Sequence, residues 1–288
     1  MRYVTYNRRD RPCLGVIDGE DVVDVASLMA NPPASMRDLI SLPSAVHAEI
    51  ANTIDSPECT RTPIAECNLL PPITDPGKIV CVGLNYADHA REGGHEIPTY
   101  PALFMRTATS LIGPDDPIIV PNCSEQLDYE AELAIVIGKR CRHVSKDAAD
   151  EVIFGYTAFN DGSIREYQRL SAQWTAGKNF DDTGPLGPSI VTRDKLPKGA
   201  SGLTIQSRLN DEVMQSSNTD QMIFDTYRII EILTEFMTLE PGDIIATGTP
   251  SGVGHARRPQ VWMRPGDRIE VEIEGIGVLS NPVVAEKS

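Results

Sequence analysis

Residues 127–138, LDYEAELAIVIG, constrain the fold more than any other segment of the sequence. The second half of this segment is uniformly apolar, which is typical of a buried strand. Because side chains alternate between the two faces of a strand, Asp128, Glu130 and Glu132 share one face, which becomes apolar further along. The opposite face is apolar throughout. The sequence therefore predicts a core strand that carries carboxylates at its start.

The Glu130–Glu132 pair needs a compensating cation if it is even partly buried, because like charges on neighbouring positions repel. Mg²⁺ suits such a pair, since it prefers oxygen ligands. A third carboxylate, Asp161, follows another apolar, strand-like run in GYTAFNDGSIREYQRL. A metal site is therefore one interpretation of the acidic face, and a solvated strand end is the other.

Short strand-like runs separated by turn residues dominate the rest of the chain. Helices are predicted within residues 145–155 and 219–239, and strands and helices rarely alternate, which favours a mixed, mainly antiparallel β body. We predict the fold class α+β, mainly β. A small N-terminal α+β domain is expected at residues 1–72, followed after a proline-rich linker by a larger domain at residues 73–288.

The composition narrows the classes of partner. The formal net charge is −15 with no cluster of Lys and Arg, so we expect no nucleic-acid partner. No apolar run reaches the length of about 18 residues that a membrane span requires, and we expect no membrane partner. The six cysteines form no C-x-x-C pair, which favours reduced thiols in a reducing compartment. A cytoplasmic protein is the expectation.

His89 and Glu92 are candidates for acid–base chemistry in CVGLNYADHAREGG. Their i, i+3 spacing places them on the same side of a short helix that ends at Gly93 and Gly94. A carboxylate beside an imidazole fixes its tautomer and raises its basicity, as a general base requires. An ordinary surface pair is the alternative interpretation, and the flanking glycines also fit a mobile lid.

Two further polar residues lie in segments rich in Gly and Pro. Lys178 belongs to SAQWTAGKNFDDTGPLGP, which we expect to be irregular, and it is either a surface charge or a cation that stabilises an enolate. Thr249 belongs to ATGTPSGVGH, whose glycine spacing does not match a dinucleotide-binding loop. Thr249 and neighbouring backbone N–H groups could instead hold a substrate carboxylate.

Six segments in this order resemble blocks of the fumarylacetoacetate hydrolase family. They are VGLNYADHARE, LDYEAELAIVIG, GYTAFNDGSIREYQ, QWTAGKNFDDTGPLGP, VMQSSNTDQMIF and PGDIIATGTPSGVG. Together they cover residues 78 to 281, whereas the N-terminal segment matches only loosely. The resemblance implies a β-sandwich roll of several mixed sheets, commonly assembled as a homodimer.

The resemblance also implies a metal site and its surroundings. Glu130, Glu132 and Asp161 would hold one Mg²⁺ or Mn²⁺, with Lys178 beside the metal. Asp128 lies outside the matching motif, so we expect it to be solvated or to support the ligands indirectly.

The same resemblance gives roles to the other candidates. His89 and Glu92 would form a water-activating dyad on a lid, and the substrate-contacting positions would be Arg165, Gln168 and Thr249. This chain has Leu84 where the family often has Arg, and Ile164 where it often has Ala. We expect Leu84 to remove a polar substrate contact and Ile164 to add bulk near the metal.

The function implied is hydrolysis of a C–C bond in a 2,4-dioxo acid, which yields pyruvate and a carboxylic acid. Water activated by His89 would attack the C4 carbonyl, while the metal and Lys178 would stabilise the pyruvate enolate that leaves. Decarboxylation of oxaloacetate-type acids or isomerisation of unsaturated oxo-diacids could use the same site. A non-catalytic protein that binds small 2-oxo acids is an alternative of another class.

Overall fold

The apolar half of residues 127–138 forms a strand, Ala131–Ile137, in the computed structural model of the chain, which describes residues 1–287. The acidic half is not continuous with it. A two-residue strand, Leu127–Asp128, pairs with a different partner, and the chain leaves both sheets at Tyr129 and Glu130. The predicted single strand is therefore broken just before Ala131, so that Asp128 and Glu132 lie in different strands.

The described residues form nineteen strands. In chain order, β1 to β10 are Arg2–Arg8, Arg11–Asp18, Asp21–Asp24, Arg61–Pro63, Asn68–Leu70, Ile79–Gly83, Ala102–Arg106, Leu111–Ile112, Ile118–Val120 and Leu127–Asp128. The remaining strands, β11 to β19, are Ala131–Ile137, Ile153–Asn160, Ser163–Ile164, Gly184–Thr192, Thr204–Leu209, Glu212–Asn218, Ile244–Ala246, Arg268–Ile273 and Gly277–Ala285.

These strands form a large sheet, a smaller sheet and one short pair. The large sheet has the order β4-β3-β2-β1-β14-β12-β11-β17-β6-β7, with β5 paired to β1 and β8 paired to β14. The smaller sheet has the order β16-β15-β18-β19-β9, and β10 pairs with β13. The pairs β8–β14, β6–β17 and β9–β19 are parallel and the others antiparallel. The predicted mixed, mainly antiparallel β body is confirmed.

Helices are short and lie between the strands. The α-helices α1 to α6 are Met36–Ile40, Ser44–Thr53, Ala87–Glu92, Arg165–Gln168, Thr175–Lys178 and Thr226–Phe236. Short 3₁₀ segments occupy Val25–Ser27, Ile64–Glu66, Ala108–Ser110, Lys146–Val152, Arg193–Lys195, Lys198–Ala200, Thr219–Gln221 and Gly254–Ala256. No helix within residues 1–287 has both the length and the apolar character needed to cross a membrane.

Both long helix predictions need correction at their boundaries. The helix expected at residues 145–155 is a 3₁₀ segment that ends at Val152, because the branched and aromatic residues from Ile153 onward join β12. The helix expected at residues 219–239 begins only at Thr226. The Asp225 side chain accepts a hydrogen bond from the backbone N–H of Arg228 and so caps this helix.

Strand β11 separates two hydrophobic clusters. Leu133 and Ile135 point into a cluster that includes residues of α6, such as Ile230 and Leu233. Ala134 points into the second cluster, together with N-terminal residues. The predicted alternation of faces is confirmed, and both faces of β11 are buried.

The N-terminal segment extends the large sheet with β1 to β5, and its helices pack against one face of that sheet. Strand β1 pairs with β14, and Tyr3, Leu39 and Ile50 belong to the same cluster as Ala134. Between β5 and β6 the proline-rich segment is irregular, and Ile73 within it is buried. The division at residue 72 stays a prediction, and the segment's contribution here is to hold the sheet that carries the acidic residues.

Candidate active site

Three buried carboxylates meet where β11 begins and β12 ends. The two strands run antiparallel with Ala131 opposite Asn160, so Glu130 and Asp161 lie side by side one position further on. The Asp161 N–H donates to the carbonyl oxygen of Glu130 at 3.0 Å. With Glu132, the carboxylates each offer an oxygen within 4.8 Å of the others. The register of one hairpin thus brings the third acid to the first two.

Lys178 lies among these carboxylates. Its Nζ donates to Oε2 of Glu130 at 2.7 Å and to Oδ2 of Asp161 at 2.6 Å. Its side chain is 2% exposed, so the surface interpretation is wrong. The expectation of irregular structure is also wrong, because Lys178 ends the helical turn α5 and most of the helix-breaking residues of this stretch come only after it.

The charges around the triad are unequally compensated. Burial alone would raise the pKa of Glu130, but Lys178 and Arg165 outweigh it and lower the pKa to about 2. Glu132 has a pKa well above its usual range because it is buried beside Asp161 and Glu130. Burial acts to lower the pKa of Lys178, but Asp161 and Glu130 raise it. Glu132 is therefore the carboxylate that most needs further positive charge.

The backbone at Gly248 supplies one polar partner to Glu132. The Gly248 N–H donates to Oε2 of Glu132 at 2.9 Å. Gly248 has a φ of +96°, and a Cβ added there would lie 2.7 Å from the Cβ of Asn85 and 2.8 Å from the carbonyl oxygen of Val82. A glycine is required at this position both by the backbone conformation and by the close approach.

The donor set fits a hard divalent cation. Three carboxylates converge within 4.8 Å, all are buried, and oxygen ligands are those that Mg²⁺ and Mn²⁺ prefer. The single amide contact of Glu132 leaves its acceptor capacity largely unused. Glu130, Glu132 and Asp161 are thus suited to hold a divalent metal, whose identity is a matter for proposal.

Arg106 is a site residue that the sequence reasoning missed. It is the last residue of β7, and its Nη1 donates to Oδ1 of Asp161 at 2.5 Å and to the carbonyl oxygen of Gly162 at 3.0 Å. Its Nη2 donates to Thr183 Oγ1 at 2.9 Å, and its Nε donates to Ser110 Oγ at 3.1 Å. This fully buried guanidinium fixes the Asp161 carboxylate. The sequence signal that could have indicated this buried arginine is its position at the end of the apolar run ALFM.

Asp128 supports the site and is not solvated. It is fully buried, and its Oδ2 accepts from Nε of Arg165 at 2.8 Å. It also accepts from the backbone N–H groups of Gly254 at 2.8 Å and His255 at 2.9 Å. Arg165 in turn lies 2.5 Å from Glu130. Asp128 therefore fixes both the arginine beside the triad and the loop that follows β17.

The predicted pair on α3 forms. Nδ1 of His89 lies 2.8 Å from Oε1 of Glu92, and the helix ends at Gly93 as expected. The helix is tied to the loop after β17, because Gly252 N–H donates to the second oxygen of Glu92 at 2.9 Å. Ser251 also donates to Asp88 at 2.7 Å. In this conformation α3 lies against the loop and closes one side of the site.

A cavity of about 330 Å³ connects these groups. All nine predicted site residues line it: His89, Glu92, Glu130, Glu132, Asp161, Arg165, Gln168, Lys178 and Thr249. Oγ1 of Thr249 accepts from Nε2 of Gln215 at 2.7 Å, which leaves the Thr249 hydroxyl hydrogen for another acceptor. The structure brings the nine residues together, and their individual roles stay predictions.

The two departures from the family pattern have different structural outcomes. Leu84 lines the cavity, where an apolar side chain provides no polar contact. Ile164 does not add bulk near the triad. It pairs with Leu127 across β10 and β13 and packs in a third hydrophobic cluster with Met263, because its side chain points away from Asp161.

Residues 78–284 match the model of the fumarylacetoacetate (FAA) hydrolase C-terminal domain. The chain belongs to the fumarylacetoacetate hydrolase family. This confirms the resemblance seen in the six sequence segments, and it confirms the predicted fold class, since solved structures of the family match the whole chain.

Three relatives illustrate the range of named activities. The chain is 39% identical, over 99% of its length and 90% of the relative, to a Xenopus laevis protein named oxaloacetate tautomerase, mitochondrial. It is 31% identical, with a TM-score of 0.84 and full coverage of both chains, to maleylpyruvate hydrolase from Sphingobium sp. SYK-6 in complex with manganese(II) and pyruvate. It is 33% identical, with a TM-score of 0.78 over 99% of this chain and all of the other, to 5-carboxymethyl-2-hydroxymuconate delta-isomerase from Mycobacterium smegmatis.

Proposed function

We propose that this chain is an enzyme that transfers a proton at the carbon next to the 2-oxo group of a short 2-oxo acid, as in keto–enol tautomerisation of oxaloacetate. The observation that carries the proposal is the His89–Glu92 pair, 2.8 Å apart, on the wall of the cavity that also contains Lys178 and the three carboxylates. A base and an enolate-stabilising cation thus share one cavity, which is what enolisation requires.

His89 is the base in this proposal. Glu92 engages Nδ1, so Nε2 is the ring nitrogen that remains for the substrate. The contact between Glu92 and the Gly252 N–H fixes the carboxylate, and through it the orientation of the imidazole. Proton removal by Nε2 yields an imidazolium beside a carboxylate, which is a stabilised ion pair.

Lys178 is the cation that faces the charge produced. As the proton leaves C3, negative charge develops on the 2-oxo oxygen, and a buried ammonium stabilises it without reorganisation. Return of the proton from the imidazolium to this oxygen completes the enol and regenerates neutral His89. A divalent metal held by Glu130, Glu132 and Asp161 would supply Lewis-acid polarisation of the substrate's oxygens when bound. Arg165, Gln168 and the Thr249 hydroxyl line the cavity as donors for the substrate's first carboxylate.

The comparisons support this choice over the hydrolase predicted first. The Xenopus relative, 39% identical to this chain against 31% for the hydrolase structure, is named as a tautomerase, and the isomerase structure is named for a reaction of the same kind. These names belong to those proteins, but they agree with the alternative of isomerisation on one metal–enolate site. Since the relatives are named as enzymes, a non-catalytic role has little support.

Hydrolysis of 2,4-dioxo acids is the second candidate. The His89–Glu92 pair could equally activate a water, and the likeness to maleylpyruvate hydrolase extends over the whole chain. In that reaction water attacks C4, the C3–C4 bond breaks, and Lys178 stabilises the pyruvate enolate as it leaves. The two candidates differ in whether a carbon–carbon bond is cut.

One experiment separates them. The protein with Mg²⁺ or Mn²⁺ is given oxaloacetate, and the decay of enol absorbance is followed; in parallel, pyruvate release from a panel of 2,4-dioxo acids is measured. We expect accelerated tautomerisation that is lost in His89→Gln and retained in His143→Asn, a control that is exposed and outside the cavity. Rapid pyruvate release without faster tautomerisation would favour the hydrolase instead.

The proposal includes the metal, the assembly and the location of the protein. We infer Mg²⁺ or Mn²⁺ as the metal, a homodimer as the assembly and the cytoplasm as the location. Support for the metal comes from the triad and from the manganese named with the hydrolase structure. Light scattering tests the assembly, and cell fractionation tests the location, for which the mitochondrial name of the Xenopus relative is the competing indication.

A further inference from the structure

Arg169 and His255 lie at the cavity wall beyond the triad and have no role in the chemistry above. Both line the cavity, and Nη2 of Arg169 donates to Nε2 of His255. Arg169 immediately follows α4, and Trp262 packs against the His255 ring at a centroid distance of 6.0 Å. This Arg169–His255 pair is held in place by groups that belong to neither the triad nor α3.

The charge of Arg169 has no carboxylate partner within residues 1–287. Arg165, four residues earlier, does have carboxylate partners, because it lies 2.8 Å from Asp128 and 2.5 Å from Glu130. The pKa of Arg169 is lowered by partial burial and by Arg165. Burial and the nearby arginines likewise lower the pKa of His255. The ring is therefore neutral and can accept a hydrogen bond from Arg169. The cavity therefore has an arginine whose charge is uncompensated.

The spacing of the two arginines suits a short ligand. Arg169 caps α4 in a right-handed helical conformation, so its Cβ lies about one turn, roughly 5–6 Å, from that of Arg165. Arg165 contacts Glu130 of the triad, where the proposed function places the 2-oxo group, so Arg169 lies one turn away from that end of the cavity. A second carboxylate, two carbons beyond the 2-oxo carbon, would extend in the direction of Arg169.

We propose that Arg169, held by His255, binds the second carboxylate of a short 2-oxo dicarboxylic acid and selects diacids over 2-oxo monoacids. The guanidinium has five N–H donors, and only one is engaged by His255, so a bidentate contact with a carboxylate remains available. The role of Arg169 in substrate selection rests on the proposed function, but the carboxylate subsite itself can be tested by ligand binding alone.

Binding of matched, unreactive ligands tests the subsite. Malate and lactate are 2-hydroxy acids that differ in the second carboxylate, and their affinities for the Mn²⁺-loaded protein are measured by calorimetry. The wild-type protein should bind malate more tightly than lactate. We expect Arg169→Gln to weaken malate binding about 10- to 100-fold, as loss of a charge-assisted contact would, with lactate affinity changed less than about 3-fold. Arg169→Lys should restore part of the preference.

The control is Arg140→Gln, which removes an arginine that is 73% exposed and pairs with Glu240 outside the cavity. It should leave the malate-to-lactate ratio unchanged. The inference is overturned if the wild-type protein does not prefer malate, or if Arg169→Gln weakens both ligands equally. A preserved malate preference in a protein that tautomerises nothing would contradict the proposed function and support the subsite.

Discussion

Arg106 offers the sharpest test of how the triad is assembled. Its guanidinium is fully buried and contacts four oxygens, of which Oδ1 of Asp161 at 2.5 Å is the only charged one. In Arg106→Gln the Asp161 carboxylate keeps Lys178 at 2.6 Å but loses its second cation. Breaking a buried ion pair by removing one partner costs about 3–5 kcal/mol. We expect a loss of that size in the free energy of unfolding of the metal-free protein.

The same substitution should weaken metal binding. Groups that orient a metal ligand from behind contribute about 10- to 100-fold to affinity. Mn²⁺ titration followed by electron paramagnetic resonance gives the affinity, and urea denaturation followed by tryptophan fluorescence, with chelator present, gives the stability. Arg140→Gln serves as the exposed control and should match the wild type in both measurements.

Two results would refute this reasoning about Arg106. The first is a loss of stability below about 1 kcal/mol, which is the scale of an exposed ion pair and would mean that the Arg106 charge is not needed to balance Asp161. The second is a folded Arg106→Gln protein whose Mn²⁺ affinity equals that of the wild type, which would mean that Arg106 does not orient Asp161 for the metal. Arg106→Lys keeps the test interpretable if Arg106→Gln fails to fold. It retains the positive charge, so its stability and Mn²⁺ affinity should lie between those of the wild type and Arg106→Gln.

Two other substitutions test Glu132 and its backbone partner. Glu132→Gln should abolish Mn²⁺ binding yet stabilise the metal-free protein. Because the pKa of Glu132 is raised on folding, the wild type loses stability as the pH rises above the unfolded pKa near 4.5. The advantage of Gln should therefore be absent at pH 4 and grow toward pH 8, and a variant that is less stable than the wild type at pH 8 in chelator would contradict this. Gly248→Ala should destabilise the protein by more than about 1 kcal/mol and weaken Mn²⁺ binding, since φ is +96° and the new Cβ meets Asn85. The control Gly266→Ala, also at positive φ but with open space around it, should leave the Mn²⁺ affinity unchanged. A wild-type Mn²⁺ affinity in Gly248→Ala would show that the Gly248 N–H does not hold Glu132.

The location of the triad could be predicted from the sequence because its cause is local. Glu130 and Glu132 are two residues apart, and Asp161 follows the next long strand, so one antiparallel hairpin suffices to join them. The His89–Glu92 pair was predictable for the same reason, since a single helical turn brings its members together. In each case the contact follows from the period of a strand or a helix, which the spacing of apolar and polar residues indicates.

Contacts made across the fold could not be predicted in this way. Arg106 reaches Asp161 over 55 residues, and Asp128 receives the N–H groups of a loop more than 120 residues away. The apolar run before Arg106 does not say which partner the arginine meets, because that contact is decided by the sheet order. The start of α6 at Thr226 was likewise missed, because the apolar spacing extends back through Met222 and Ile223 whereas the Asp225 cap decides the boundary.

The burial of both faces of β11 also bears on how members of such a family can diverge. A change in Leu133 or Ala134 disturbs one of two hydrophobic clusters, so the strand that presents the acids has little freedom to vary. Leu84 and Arg169 line the cavity but belong to neither cluster. Substitutions at such positions can therefore change the shape and charge of the cavity wall without disturbing the strand that carries the acids.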